Sequence, residues 1–295
     1  MKLKKNSFMQ GAFIATIGIV LCKIMGILYA IPFHSIIGEQ GGALYGYAYN
    51  IYTIFLSISQ AGIPLAMSKI ISEYYTLGYY DAKERAFKIA KRFLFIIGFI
   101  CFLILFIFAD QIGYMIMGNV EGGNTKEDVA FVIRVISTAI LIIPNLSVAR
   151  GYFQGHRFIA PTSISQILEQ LTRVLIIVIG SFLMYRVFHM SLKATVGCAV
   201  FAATIGGVVS YAYLLWKEKQ NKKEFLRQDI KVKEPKITSK EIMKKILFYA
   251  VPFVMIDLFR SLYNSVDVLT LVKTLVNDIG YTAKDAESVM SVIST

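Results

Sequence analysis

The chain of 295 residues is 56% apolar and only 17% charged, with a mean hydropathy of +0.60 and a formal net charge of +12. A soluble domain averages about 45–50% apolar and about 25% charged residues. This composition therefore excludes a soluble enzyme, a disordered regulator and a secreted disulfide scaffold. Long apolar runs with an excess of basic residues predict an integral membrane protein, and they explain the basic charge without nucleic acid.

Seven apolar stretches approach or exceed the roughly 20 residues that an α-helix needs to cross a bilayer. We therefore predict an all-α, polytopic membrane protein with about seven transmembrane helices. The predicted spans are residues 8–33, 43–68, 93–109, 129–149, 158–185, 194–216 and 246–272.

The basic residues between these spans predict the orientation of the chain. If the N-terminus is cytoplasmic and the sides alternate, the cytoplasmic segments hold 22 Lys and Arg residues and the external segments hold 5. This asymmetry favours a bacterial cell membrane protein with a cytoplasmic N-terminus. Contact with membrane lipids and topology then explain most basic clusters, including Arg150 and Arg157, which we assign to a cytoplasmic loop.

The domain organisation follows from one charged segment and a weak repeat. Residues 217–245 read as a basic cytoplasmic linker between a six-helix lobe, residues 1–216, and the start of a second lobe, residues 246–295. Short acidic loops that contain glycine follow both the first and the seventh span. Because transporters are often built from repeats, we expect a truncated two-lobed protein that needs its second lobe or, if complete, a homodimer partner.

Ionisable residues within the spans are the first candidates for function, since each costs about 2.5–3.5 kcal/mol to insert at the bilayer centre. Lys23 lies near the middle of the first span, where it either lines a cavity for an anion or pairs with an acid on another helix. Glu169 and Arg173 stand four residues apart in the order that favours an ion pair. They either form a cavity wall, in which Arg173 binds phosphate, or join helices.

The seventh span carries a polar stripe. Arg260, Asn264 and Asp267 follow helical spacing, and Asp257 lies one turn before Arg260. A helix facing only lipid would not tolerate this stripe, so we predict a cavity wall, with a structural network as the alternative. Asp257 and Asp267 are candidates for Na⁺ or H⁺ coupling because carboxylates bind hard cations.

The second span ends in Gly62 and Pro64, after several hydroxyl and amide side chains. This pattern predicts either a kink with interhelical hydrogen bonds or a bendable gate. The sequence contains no nucleotide-binding, zinc-protease or hydrolase motif. We therefore predict no catalytic residue, no metal site, no cofactor beyond a coupling ion, and no enzyme activity.

One stretch of sequence carries a family resemblance. It reads RGYFQGHR at residues 150–157 and continues through Pro161-Thr162, Ser165-Gln166 and Glu169-Gln170 to Arg173. It resembles the signature between the fourth and fifth helices of polysaccharide flippases of the MurJ/SpoVB/YtgP type, in the MATE-like MOP exporter superfamily. Two weaker matches lie at residues 60–66 and 252–267.

The resemblance implies a two-lobed, MATE-like transporter of about fourteen helices with a central cationic cavity. It implies that undecaprenyl-diphosphate-linked oligosaccharides, lipid II in particular, move from the cytoplasmic to the external leaflet by alternating access for peptidoglycan synthesis. Many Gram-negative relatives carry an Arg-Asp pair where this chain has Tyr29 and Ala30. The alternatives are a cation-coupled MATE-type multidrug exporter and an inactive or scaffolding fragment of a flippase.

Overall fold

The computed structural model of the chain describes residues 5–60, 62–118, 123–226 and 232–293, without the side chains of Phe8, Gln60, Asn264, Asp267, Val268, Leu269 and Ile293. No strand occurs in these ranges, which confirms the all-α prediction. The α-helices are α1 (Phe8–Gln60), α2 (Ile63–Leu77), α3 (Tyr80–Ile107), α4 (Ala109–Met117), α5 (Lys126–Ser137), α6 (Ile143–Gly155), α7 (Ile159–Leu175), α8 (Leu192–Gln220), α9 (Lys222–Phe225), α10 (Ser239–Asn277) and α11 (Ala283–Ile293).

Shorter elements complete two of the long segments. A 3₁₀-helix, Thr138–Leu141, joins α5 to α6, and two π-helical turns, Ile176–Gly180 and Leu183–Val187, extend α7. Within the described ranges, five helical segments are long and apolar enough to cross a membrane. They are residues 9–77, 80–107, 126–155, 159–187 and 192–220.

The first of these segments contains two crossings, because α1 reverses direction. The ring centroids of Phe33 and Tyr45 lie 5.2 Å apart, although 12 residues of straight helix span about 18 Å. The reversal occurs at Gly38, whose φ of 67° and ψ of −173° interrupt the helix. Glycine adopts such a positive φ without steric cost. The predicted loop between the first two spans is thus a tight turn.

The residues of the predicted seventh span lie within α10, which has 39 residues and begins at a capping box formed by Thr238 and Glu241. Helix α10 is not among the five membrane-crossing segments of the described residues, so a seventh span stays a prediction. The turn after α10 contains Gly280, with a φ of 84°. A glycine with a positive φ therefore follows each of the two spans that the weak repeat relates: Gly38 follows the first span and Gly280 follows the seventh. The boundaries of the two lobes stay a prediction.

Two clusters of buried apolar side chains hold the helices together. One includes Tyr47, Ile133 and Ala199 and joins α1, α5 and α8. The other includes Met67 and Phe153 and joins α2, α6 and α3. Many other large apolar side chains are exposed, as expected for a surface that faces lipid tails; among them are Ile27, Leu28, Phe95, Phe99 and Phe182.

The described part of the predicted linker packs against the N-terminal end of α3. The Glu234 carboxylate accepts hydrogen bonds from the backbone N–H groups of Asp81 and Ala82, at 3.0 and 2.7 Å. Nζ of the buried Lys83 donates to the carbonyl of Phe225 at 2.7 Å. The Glu234 carboxylate also suits the positive end of the helix dipole. These contacts anchor the linker on the helical lobe.

Candidate substrate-binding cleft

An ion-pair network joins α6 to α7 in the interior of the helical lobe. Glu169 on α7 accepts a hydrogen bond from Arg173 at 2.8 Å through Oε1, and another from Arg150 at 2.7 Å through Oε2. The exposed fractions of the Glu169, Arg150 and Arg173 side chains are 13%, 13% and 17%. The structure thus contains the helical Glu169–Arg173 pair that the sequence suggests, together with a second arginine.

The assignment of Arg150 to a cytoplasmic loop is wrong. Helix α6 continues to Gly155, so Arg150 lies inside the helix and its side chain turns towards α7 and α8. Its Nε donates to Oγ of Ser165, and its Nη2 donates to Oγ of Ser210, both at 3.0 Å. Arg157, by contrast, is exposed in the turn after α6. Gly151 and Gly155 are poor helix formers, so the local sequence did not indicate that α6 continues past Arg150.

Two serines complete the surroundings of Arg150. Oγ of Ser210 donates to the carbonyl of Ser165 at 2.9 Å, and Oγ of Ser165 donates to the carbonyl of Thr162 at 2.7 Å. Both serines are fully buried. Buried polar groups need hydrogen-bond partners, and here each hydroxyl accepts from the arginine while donating to the backbone. This arrangement fixes the position of the guanidinium.

A cleft of about 290 Å³ opens beside the network and includes Lys23 from α1. Lys23 is exposed, unlike the two arginines. Two cations, Lys23 and Arg150, and one acid, Glu169, line the cleft, and Arg173 binds the other oxygen of the same carboxylate. The excess of positive charge favours an anionic ligand. The side chains that line the cleft are Ile19, Cys22, Lys23, Arg150, Gln166, Glu169 and Gln170.

Tyrosines from the second half of α1 lie on another side of Arg173. The guanidinium is within electrostatic range of the Tyr45, Tyr49 and Tyr52 hydroxyls. The rings of Tyr45 and Tyr49 stack with centroids 5.6 Å apart, and Tyr29 hydrogen-bonds to Tyr45. Among the described residues, Nε of Arg173 has no hydrogen-bond partner. Aromatic side chains and one free donor therefore adjoin the ion pairs.

The charges of the predicted seventh span lie apart from this cleft. Asp257 and Arg260 are exposed on α10, and neither is among the described residues that line the cleft. The side chains of Asn264 and Asp267 lie outside the described part of the chain. The binding roles of Arg260 and Asn264 and the coupling roles of Asp257 and Asp267 stay predictions. No three His, Cys, Asp or Glu side chains in the described ranges are grouped as a metal site requires.

The break between α1 and α2 touches α10. Gly62 has a φ of 68°, and Pro64 lies in the first turn of α2. A Cβ atom on Gly62 would lie 2.5 Å from Cβ of Phe253, and the hydroxyls of Ser57 and Ser261 are 2.9 Å apart. The structure thus has both a helix break and an interhelical hydrogen bond here. The role of Gly62 and Pro64 as a gate stays a prediction.

Comparison with known proteins identifies the family. A model of a family described as "Polysaccharide biosynthesis protein" matches residues 8–280. The chain belongs to this family. Lipid II flippase MurJ of Bacillus subtilis (strain 168) is 34% identical over 92% of this chain and 50% of its own length. Stage V sporulation protein B of the same organism is 26% identical over 72% of this chain and 39% of its own length. This chain spans about half the length of these relatives or less.

Solved structures of the MOP superfamily share the fold. An inward-facing multidrug resistance MATE family transporter superposes with a TM-score of 0.63 at 17% sequence identity. The match covers 90% of this chain and 56% of the transporter. A MOP superfamily transporter from Pyrococcus furiosus, described as having a binding pocket of reverse polarity, has a TM-score of 0.61 at 16% identity, with coverages of 97% and 62%. At such identities the likeness shows the fold alone, and it confirms the MATE-like prediction. The chain is a multi-pass membrane protein.

Proposed function

We propose that this chain contributes to the movement of an undecaprenyl-diphosphate-linked oligosaccharide, a lipid II-like cell-wall precursor, across the bacterial cell membrane. In this proposal the N-terminus is cytoplasmic, the protein carries out transport rather than catalysis, and its helices form one lobe of an alternating-access flippase. The observation that carries the proposal is the cleft lined by Lys23, Arg150 and a single carboxylate, Glu169, which also binds Arg173.

The charge of this cleft suits a diphosphate. Arginine and lysine make charge-assisted hydrogen bonds to phosphate oxygens, and these are about twice as strong as neutral ones. Within the low dielectric of a membrane protein, an excess of positive charge strongly favours an anion over a cation. The same positive charges would repel a cationic drug.

We assign different roles in ligand binding to Lys23 and to the two arginines. Arg150 and Arg173 are held by Glu169, so Arg150, which lines the cleft, has a fixed position and loses little conformational entropy on binding. Lys23 is exposed at the cleft and its flexible side chain reaches the ligand directly. Tyr45 and Tyr49 supply hydroxyls and aromatic rings beside Arg173, which suit the sugar attached to the diphosphate.

Alternating access requires a second wall for the cavity. We propose that the exposed α10 residues Asp257 and Arg260 face that wall, because charged side chains within the bilayer face a polar cavity or a protein partner. Coupling to Na⁺ or H⁺ through Asp257 or Asp267 belongs to the same proposal. In the same proposal, the helix break at Gly62, which contacts Phe253 of α10, serves as the hinge of this motion.

Translocation in proteoliposomes tests this function. The native protein is reconstituted with a fluorescent undecaprenyl-diphosphate sugar, and a membrane-impermeant reductant reports how fast the label changes leaflet. Because Lys23 is exposed, Lys23→Gln should leave the fold intact and slow translocation about tenfold, the loss expected for one charge-assisted contact. Lys23→Arg should retain most of the rate.

Lys240→Gln is the matched control, since Lys240 is an exposed lysine in the first turn of α10. It should leave the rate unchanged. An equal rate for wild type and Lys23→Gln would contradict the proposal. Transport of a cationic dye with no movement of the diphosphate lipid would favour a multidrug exporter instead.

A further inference from the structure

A second cleft, of about 380 Å³, lies between α3 and the start of α10. We call it the α3–α10 cleft. None of its described lining residues is acidic, and it shares no lining residue with the cleft beside Glu169. It is therefore a separate site. The lining side chains that bear on its chemistry are Arg85, Lys88, Arg92, Phe93, Ile96 and Ser239.

The cleft follows one face of α3, at the point where this helix changes from basic to apolar. Arg85, Lys88 and Arg92 are spaced three and four residues apart, so they share a face of the helix. Ile96 follows Arg92 by four residues on the same face, about 6 Å further along the axis. Beyond Arg92, α3 contains no charged residue. Because α3 is long and apolar enough to cross a membrane, the cleft lies where the helix passes from lipid headgroups to hydrocarbon.

The basic side chains of the cleft carry charge that no acid of the described residues neutralises. Lys88 and Arg92 are exposed, and neither takes part in the ion pairs of the described part of the chain. Arg85 is half-buried, and its Nη1 donates to the carbonyl of Ile237 at 2.8 Å. This hydrogen bond positions the guanidinium but does not neutralise it, since a carbonyl carries no net charge.

Acidic side chains on the neighbouring segments are engaged at helix ends. The Glu234 carboxylate accepts from the backbone at the start of α3, and Glu241 accepts from the backbone N–H and the hydroxyl of Thr238, at 2.7 and 3.0 Å. Neither these two nor Asp81 is among the described lining residues. Ser239, the first residue of α10, lines the cleft at the positive end of the helix dipole. The cleft therefore has a positive potential that favours an anion.

Apolar side chains extend the cleft along α3. Phe93 and Ile96 line it, and Ile96 is exposed, as are Phe95 and Phe99 on the following part of the helix. An inorganic anion would contact only the basic part of this surface. An amphiphile with a phosphate headgroup and a hydrocarbon chain would contact both parts. Phospholipids are the amphiphiles that fill a leaflet at this depth, and anionic ones are attracted to Lys and Arg near the membrane surface.

We propose that the α3–α10 cleft binds the phosphate headgroup of an anionic phospholipid, whose acyl chain lies along Phe93 and Ile96. Lys88 and Arg92 contact the phosphate oxygens, and the hydroxyl of Ser239 donates to them. Because both helices line the cleft, the bound lipid strengthens the contact between α3 and α10. The proposal requires only that α3 crosses the membrane, and it does not depend on the flippase proposal.

Binding of phosphatidylglycerol to the purified full chain, measured by native mass spectrometry, tests the site. All proteins carry Lys23→Gln, which removes the exposed cation of the other cleft, and this single variant is the parent. Adding Lys88→Gln and Arg92→Gln should weaken binding at least tenfold, because two headgroup contacts are lost. Adding Lys222→Gln and Lys223→Gln, which removes the same charge from exposed positions on α9, should change binding less than twofold. Equal affinities of the two sets of variants would overturn the proposal.

Further measurements on the parent identify the ligand. Phosphatidylcholine, whose headgroup has no net charge, should bind at least tenfold more weakly than phosphatidylglycerol, and equal affinities would overturn the anionic lipid. Inorganic phosphate that competes as strongly as phosphatidylglycerol would overturn the amphiphile. Undecaprenyl diphosphate that displaces phosphatidylglycerol at a lower concentration than phosphatidylglycerol itself would overturn the assignment to a phospholipid.

The melting temperature tests the proposed link between α3 and α10. Phosphatidylglycerol should raise the melting temperature of the parent more than that of the variant with Lys88→Gln and Arg92→Gln. Equal shifts would show that the bound lipid does not strengthen this contact.

Discussion

Placing a charged side chain in a membrane protein costs free energy. The charged residues of α6 and α7 are paired with one another, whereas those of α10 are exposed. Arg150 and Arg173 share the carboxylate of Glu169 and are mostly buried. Asp257 and Arg260 on α10 are exposed. The first group is paired within this chain by ion pairs to Glu169 and, at Arg150, by two serine hydroxyls. The second group lies on a helix surface of a membrane protein, where it requires a polar cavity or a facing protein wall.

The two groups of charged residues therefore differ in their contacts within this chain. The network around Glu169 holds helices together and also presents positive charge to a cleft. Asp257 and Arg260 on α10 are exposed, and their conformational or coupling role stays a prediction. Substitutions in the two regions should therefore differ sharply in their effect on stability.

The largest expected effect is that of Glu169→Gln. It leaves Arg150 and Arg173 without the carboxylate that they share, and removal of one partner of a buried ion pair costs about 3–5 kcal/mol. The melting temperature of the purified protein should fall strongly, and less folded protein should accumulate in membranes. Glu127→Gln, at an exposed glutamate on α5, serves as the control. A melting temperature for Glu169→Gln equal to that control would show that the network is not structural.

Gly62→Ala should cost less, about 1–3 kcal/mol. Alanine at this position is strained by the left-handed backbone, and its Cβ would collide with Phe253 at 2.5 Å. Thermal unfolding of Gly62→Ala, of Phe253→Gly and of the two together separates the two causes, because only glycine removes the Cβ atom of Phe253. If Gly62→Ala had no effect on the stability of the Phe253→Gly variant, the backbone conformation would carry no cost of its own.

Ser210→Ala should destabilise the protein by about 1–2 kcal/mol. The substitution removes a hydrogen bond to Arg150 and another to the carbonyl of Ser165, and a bond to a charged group contributes more than a neutral one. Ser239→Ala, at an exposed position, should have almost no effect. Equal melting temperatures for the two alanine variants would place Arg150 outside the stabilising network.

The smallest expected effects on stability are those of Asp257→Asn and Arg260→Gln, about 0.5 kcal/mol or less for exposed positions. The same variants should slow translocation if α10 forms a cavity wall. Thermal unfolding and the proteoliposome assay, applied to the same preparations, measure both quantities. Large losses of stability would mean that the α10 charges belong to a structural network, as those around Glu169 do.

Hydropathy and charge predicted most of the fold, because the bilayer imposes helix length and side-chain polarity directly. The helical spacing of Glu169 and Arg173 likewise predicted an ion pair that the structure contains. The sequence predicts a longer loop where the structure has a tight turn at Gly38. Hydropathy could not locate this turn, because it depends on the backbone conformation of a single glycine.

The second arginine of the network was missed for a different reason. Arg150 ends an apolar run, so its position alone suggests a loop, and only the continuation of α6 to Gly155 brings it into the interior. Ser210 lies on α8, 60 residues along the chain from Arg150. Long-range partners of this kind have no sequence signal in a single chain. The spacing of Tyr45, Tyr49 and Tyr52 on one helical face was a signal available in the sequence.

The most direct test of the central claim is the binding of undecaprenyl diphosphate to the purified native protein, measured by native mass spectrometry. Wild type and Lys240→Gln should retain the lipid, while Lys23→Gln should hold about tenfold less. A bound lipid lost only from Lys23→Gln would establish the cationic cleft as its site. Equal binding by all three proteins would contradict the assignment of the diphosphate to this cleft.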